Sequence, residues 1–182
     1  MAADTEERIL DAALQVFSKN GYNGARTRVI AKKSGFTEMT LFRKFETKEN
    51  LFNQVIVKNQ ERIMKDVYSL LDLSLIEEPK ECFRNLIMKI VDLMDKNFEY
   101  VNILIYERER IPHSITKKFI FRLAEYLEKM FPQIKVDHYV LSFNILSFLY
   151  FITFNQKRGD DFFDVKSAVE EFIAYNSTCL RL

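Results

Sequence analysis

The sequence predicts an all-α protein of about nine helices, and three observations carry that expectation. Only four glycines and three prolines punctuate 182 residues, too few for the many tight turns of a β-rich fold. Apolar residues recur at helical spacing, and no alternating strand-like run of any length interrupts them. The glycines and prolines fall between those apolar stripes rather than inside them. Apolar residues at 48% and charged residues at 29% fit a globular chain with a real core, not a disordered one.

The first helix precedes Gly21. Asp4 stands at its start with Glu7 three residues on, as in a capping box, and its stripe is Ile9, Ala13, Val16 and Phe17. Two short helices follow, 27–34 and 37–45, divided by Gly35, with Thr27 and Thr37 as expected N-caps. Thr47 caps a long helix reaching about Leu73. Pro79, tolerated in a first turn, opens a helix to about Asn97. Helices at 98–110, ending before Pro112, and 113–130, stopping at Phe131-Pro132, come next. The last two span 136–157 and 161–178, divided by Gly159.

Charge is distributed unevenly along this framework. Between Lys19 and Lys48 eight basic residues face only Glu38 and Glu46, a net +6, while the remainder carries −5. A nearly neutral chain thus holds a basic patch on an acidic body. That is the footprint of a nucleic-acid-binding face, though a solvated lysine-rich surface would look the same by charge alone. Two short helices joined by a glycine turn behind a supporting helix are the parts of a helix-turn-helix. Here Val29, Ile30 and Ala31 are expected to pack inward, Phe36 to plug the junction, and Leu41 and Phe45 to anchor the second short helix. Glu38, Met39, Thr40, Arg43 and Lys44 are left to face outward. Thr37 can offer its hydroxyl and nearby backbone N–H groups to a phosphate.

Residues 21–52, GYNGARTRVIAKKSGFTEMTLFRKFETKENLF, with RILDAALQVFSKNGY before them, resemble the TetR family of transcriptional regulators. The resemblance covers roughly residues 5–55. It implies a DNA-binding domain over 1–47 and a helical effector-binding and dimerisation domain over 48–182. Carried over, it implies that Thr27 and Arg28 touch the phosphate backbone. Thr37, Thr40, Arg43 and Lys44 would lie in or beside the major groove, and Lys48 would hold a phosphate. Three positions depart from the family's habit: Phe42 replaces a common tyrosine, Glu38 a common lysine, and Met39 a common glycine. Phe42 removes a phenol-to-phosphate hydrogen bond. Glu38 either accepts from a cytosine amine or simply stabilises the helix N-terminus.

The body beyond is aromatic. No charge occurs from Tyr139 to Gln156, yet Ser142, Asn144, Ser147, Thr153 and Asn155 are scattered through that stretch, so a membrane span is not expected. A helix apolar all round must be covered on most sides, and a second copy of the chain can cover one of them. The expected homodimer face combines Phe143 and Phe151 with Phe162, Val169, Phe172 and Ile173 (Ala168 beside them), and the resemblance implies the same four-helix interface. A two-fold dimer would read a near-palindromic double-stranded operator. The resemblance also implies a small effector. Its candidate lining is Phe83, Ile87, Met94, Tyr106, Phe119, Leu123, Ser147, Tyr150 and Phe154, which serve equally as packed core. A ligand there would be hydrophobic, aromatic or acyl-like. Glu107 or Arg110 could add a charged contact, although 107–110, ERER, reads more simply as a solvated turn.

An enzyme is not expected. His113 and His138 have no metal-ligand spacing, no glycine-rich phosphate loop is possible, and the acid pairs Glu77-Glu78 and Asp160-Asp161 read as surface turns. Cys82 and Cys179 read as free thiols, the N-terminus MAADTEERIL is no signal peptide, and no cofactor or metal is implied. The sum is a cytoplasmic regulator, in the family's commoner habit a repressor released by its effector. The alternatives are a helix-turn-helix dimer governed by a protein partner or its own abundance, and a helical interaction dimer without DNA function.

Overall fold

A computed structural model of the protein describes residues 2–71, 78–160, 162 and 164–182. Leu73, Glu77 and Asp161 lie outside the described residues. The described residues form nine helices and no strand, as expected: α1 (Ala2–Gly24), α2 (Thr27–Ser34), α3 (Glu38–Phe45), α4 (Lys48–Leu71), α5 (Pro79–Lys96), α6 (Phe98–Tyr106), α7 (His113–Met130), α8 (His138–Arg158) and α9 (Val165–Cys179). They divide into two compact units. The first holds residues 1–64 and 99–113, and the second holds 65–98 and 114–182.

The first unit is built on α1. Its stripe Ile9, Ala13, Val16 and Phe17 is buried, and so are Ile30 and Ala31 of α2, Leu41 and Phe45 of α3, and Leu51, Phe52 and Val55 of α4. Phe17 and Phe52 meet edge to face at 5.1 Å. Val29, expected inside, is 47% exposed. Residues 29–31 are consecutive and fan through about 200° of helix, so an eight-residue helix can bury only two of them.

Side-chain caps mark several helix starts. Thr37 Oγ1 accepts from the Thr40 N–H at 3.2 Å, Thr47 Oγ1 from Asn50, and Asp137 from Tyr139 and Val140. Each such cap is worth about 1 kcal/mol. Two expected caps are not caps. α1 is already helical at Ala2, so Asp4 sits within its first turn. The N-cap of α2 is Arg26, without a side-chain hydrogen bond, and Thr27 is the first helical residue. Gly35 ends α2 at φ +80°, ψ +20°, where a Cβ would lie 2.8 Å from Arg8 Nη2. α6 stops at Tyr106, four residues before the expected end at Arg110.

In the second unit α5 packs against α8 and α9, which also pack together. Its core includes Phe83, Leu86, Ile87, Leu127, Phe131, Ile145 and Leu149. Arg84 and Glu170 join α5 to α9 through two parallel hydrogen bonds. Cys82 and Cys179 are both free thiols, as expected. Among the described residues no helix is long and apolar enough to cross a membrane.

Candidate nucleic-acid interface

The second short helix turns one face to the core and the other to solvent. Leu41 and Phe45, four apart, are buried at 0% and 1% exposure. Met39 and Arg43 lie on the opposite face by the helical repeat and Phe42 at its edge, and all three are exposed, Met39 by 81%. Between those faces run two flanks whose polar groups are engaged. On one, Glu38 Oε1 accepts from the Thr27 hydroxyl at 2.6 Å, tying the start of α3 to the start of α2. On the other, Lys44 Nζ lies 3.8 Å from Glu6 Oε2 of α1. Thr40 Oγ1 shares a hydrogen with Thr37 Oγ1 at 3.0 Å. Arg28, Lys32 and Lys33 are exposed on α2, and the Arg8 guanidinium covers the Phe36 ring at 4.9 Å.

Lys48 opens α4 within a cluster that the sequence does not announce. Its Nζ sits 4.7 Å above the Tyr22 ring, which also meets the Arg110 guanidinium at 4.3 Å. The Tyr22 N–H donates to Glu107 Oε1 at 2.7 Å, and Glu107 Oε2 is 3.5 Å from Arg110 Nε. Gly21 makes this approach possible: at φ +67° it breaks the helical path of α1, and a Cβ there would meet Glu107 Oε1 at 3.0 Å. Partial burial and the neighbouring Arg110 hold the Lys48 ammonium below its ordinary pKa, against an opposing pull from Glu107. The stretch 107–110 is therefore not simply a solvated turn. Glu107, with 16% of its side chain exposed, is fixed against the end of α1. The signal was available only as a glycine-tyrosine pair and a charged run, 85 residues apart.

The other expected site residues fall in several places. Phe83, Ile87, Met94, Leu123 and Tyr150 are buried, while Phe119, Ser147 and Phe154 are half-buried, all in the second unit. Phe98, Tyr150 and Phe154 pack ring against ring with centroids 5.8–6.5 Å apart. Tyr106 belongs to the first unit and is exposed. A cleft of about 640 Å³ does open in the second unit, walled by Met88, Val91, Asp92, Thr153, Val169 and Glu170 among others; none of the nine expected lining residues is at its wall. Of the expected interface, Phe143, Phe151 and Phe162 are exposed, Phe172 is half-buried against Phe148 at 4.2 Å, and Val169 and Ile173 are buried within the unit.

Two short helices joined by a glycine turn behind a supporting helix define the class of the first unit: a helix-turn-helix. Residues 9–55 match the profile of the bacterial regulatory proteins of the tetR family. Over those residues the chain is similar to the TetR family. It is 38% identical over 63 residues to the HTH-type transcriptional regulator UidR of Escherichia coli (strain K12), a match covering 35% of this chain and 32% of UidR. It is 32% identical over 104 residues to the HTH-type transcriptional repressor NicS of Pseudomonas putida, covering 57% of this chain and 48% of NicS. The chain thus spans between a third and a half of these relatives' lengths. The fold matches a TetR-like transcriptional regulator from Rhodococcus sp. RHA1 at TM-score 0.73 and 20% identity, over 96% of both chains. It also matches AibR, solved in complex with isovaleryl coenzyme A and operator DNA, at TM-score 0.73 and 19% identity, over 94% of this chain and 97% of that one.

Proposed function

We propose that the protein is a sequence-specific DNA-binding repressor, not an enzyme, that acts as a homodimer on a near-palindromic operator and is released by a small hydrophobic effector. The observation that carries the reading is α3, anchored by Leu41 and Phe45 and presenting Met39, Phe42 and Arg43 to solvent beside the exposed bases of α2. In this reading residues 1–47 bind DNA and 48–182 bind the effector and the second subunit. Thr37, Thr40, Arg43 and Lys44 face the groove, and Arg28, Lys48 and the first turn of α2 hold phosphates. The exposed rings of Phe143, Phe151 and Phe162 support a partner subunit across α8 and α9. An acyl-bearing effector is supported by the AibR complex with an acyl coenzyme A, within the same fold.

The test is a salt titration of binding to the DNA upstream of the protein's own gene, followed by fluorescence anisotropy. Lys48→Ala should weaken binding to all sequences alike and flatten the log–log salt slope by about one unit. Thr40 or Lys44 substitutions should instead alter base preference. Wild-type behaviour in both classes of variant would overturn the placement of the reading head.

A further inference from the structure

Direct reading of bases in the major groove uses hydrogen bonds or apolar contact, and the only apolar group there is the thymine 5-methyl. Several polar groups of α3 have partners in the free protein. Glu38 holds the Thr27 hydroxyl, Thr40 is paired with Thr37, and Lys44 leans on Glu6. What remains on the exposed stripe is Met39, Phe42 and Arg43, spaced i, i+3, i+4. Two of these three are apolar. A basic rim with an apolar centre fits a phosphate-flanked groove in which methyl groups, rather than amines or carbonyls, are touched.

Resting on the DNA-binding reading above, we propose that Met39 and Phe42 read thymine methyl groups, so that thymines define the half-site that α3 faces. Met39, 81% exposed in the free protein, has the flexible thioether chain to cover a methyl, and the flat ring of Phe42 offers a second contact three residues on. Cytosine at the same place presents no methyl, and Glu38 is turned away from it toward Thr27. Arg43 supplies the adjoining phosphate or guanine contact.

Uracil isolates the methyl, because it differs from thymine by that group alone. The full-length protein would first be used to enrich binding sites from a random duplex library. Each thymine of the enriched half-site would then be replaced in turn by uracil. One or more positions should lose about fourfold in affinity, the value of one buried methyl-sized group. In the Met39→Ala, Phe42→Ala double variant that uracil penalty should vanish while binding persists. Both side chains are exposed, and a thermal melt matching wild type verifies that the variant is folded. A fully uracil-substituted site that binds within twofold of the thymine site overturns the inference and leaves DNA binding intact. So does a penalty that survives in the double variant. A library that enriches nothing overturns the DNA-binding reading and this inference with it.

Discussion

Glu107 is the most informative residue to remove, because one carboxylate serves two groups in the first unit. Its Oε1 accepts the Tyr22 N–H at 2.7 Å just after the break at Gly21, and its Oε2 faces Arg110 Nε at 3.5 Å. A hydrogen bond to a charged acceptor at a part-buried site contributes about 1.5–3 kcal/mol. Arg110 is 44% exposed, so its ion pair adds only a few tenths, about 0.3 kcal/mol after solvent screening. Glu107→Ala also leaves Lys48 and Arg110 on the same Tyr22 ring without the intervening carboxylate. The expected loss is about 2–3 kcal/mol in urea unfolding followed by circular dichroism, with an unchanged m-value. Glu107→Gln keeps an acceptor for the Tyr22 N–H but loses the charge, and should cost about 1 kcal/mol. An Ala variant within about 0.5 kcal/mol of wild type, the scatter of ordinary surface substitutions, would refute the anchoring role. Equal losses for Ala and Gln would refute the charge-assisted part of it.

Two further predictions concern groups outside that cluster. The Tyr100 hydroxyl is buried without a hydrogen-bond partner among the described residues, and burial raises its pKa. Tyr100→Phe should therefore leave stability unchanged or raise it by up to about 1 kcal/mol, and a loss above about 1 kcal/mol in the same assay would show that the hydroxyl is bonded. The hydrogen bonds from Arg84 hold the Glu170 carboxyl below its ordinary 4.5. A depressed folded-state pKa stabilises above the unfolded value and loses that contribution as pH falls through the folded one. Glu170→Gln should accordingly melt below wild type near neutral pH and converge with it in strong acid, and parallel melting curves at every pH would contradict the pair's contribution.

Helix order was legible because the chain's few glycines and prolines coincide with real breaks. Starts were legible where the capping side chain has no better offer. Thr37 and Thr47 bond to their own next turn, so local sequence suffices. Thr27 has the same local credentials, but its hydroxyl goes to Glu38, eleven residues away on another helix. Glu107 was hidden for the same reason at longer range: nothing in a charged tetrapeptide states that one member bonds Tyr22. The buried stripes of α1 and α3 followed from periodicity, whereas Val29 did not, since three consecutive apolar residues do not say which one the helix leaves outside. The nine-residue pocket lining was the least legible part. Apolar residues at helical spacing describe a packed core and a ligand cavity equally well, and Phe83, Ile87 and Leu123 are buried as core residues are.

The Thr27–Glu38 bond changes how the three unusual residues of the reading head should be understood together. A carboxylate on a DNA-facing helix ought to repel phosphate, and an acid where lysine is common reads first as a defect. At 2.6 Å from the Thr27 hydroxyl, Glu38 instead has its charge directed along the protein surface. The hydroxyl carries one proton, and a proton given to Glu38 cannot also be given to a phosphate. In the proposed DNA complex, the backbone contact that the family resemblance assigns to Thr27 would therefore pass to Arg28, exposed beside it. Glu38 thus does not oppose a phosphate contact at Thr27 so much as replace it with a brace between the two helices. That brace fixes the start of α3, and the residue it fixes next is Met39.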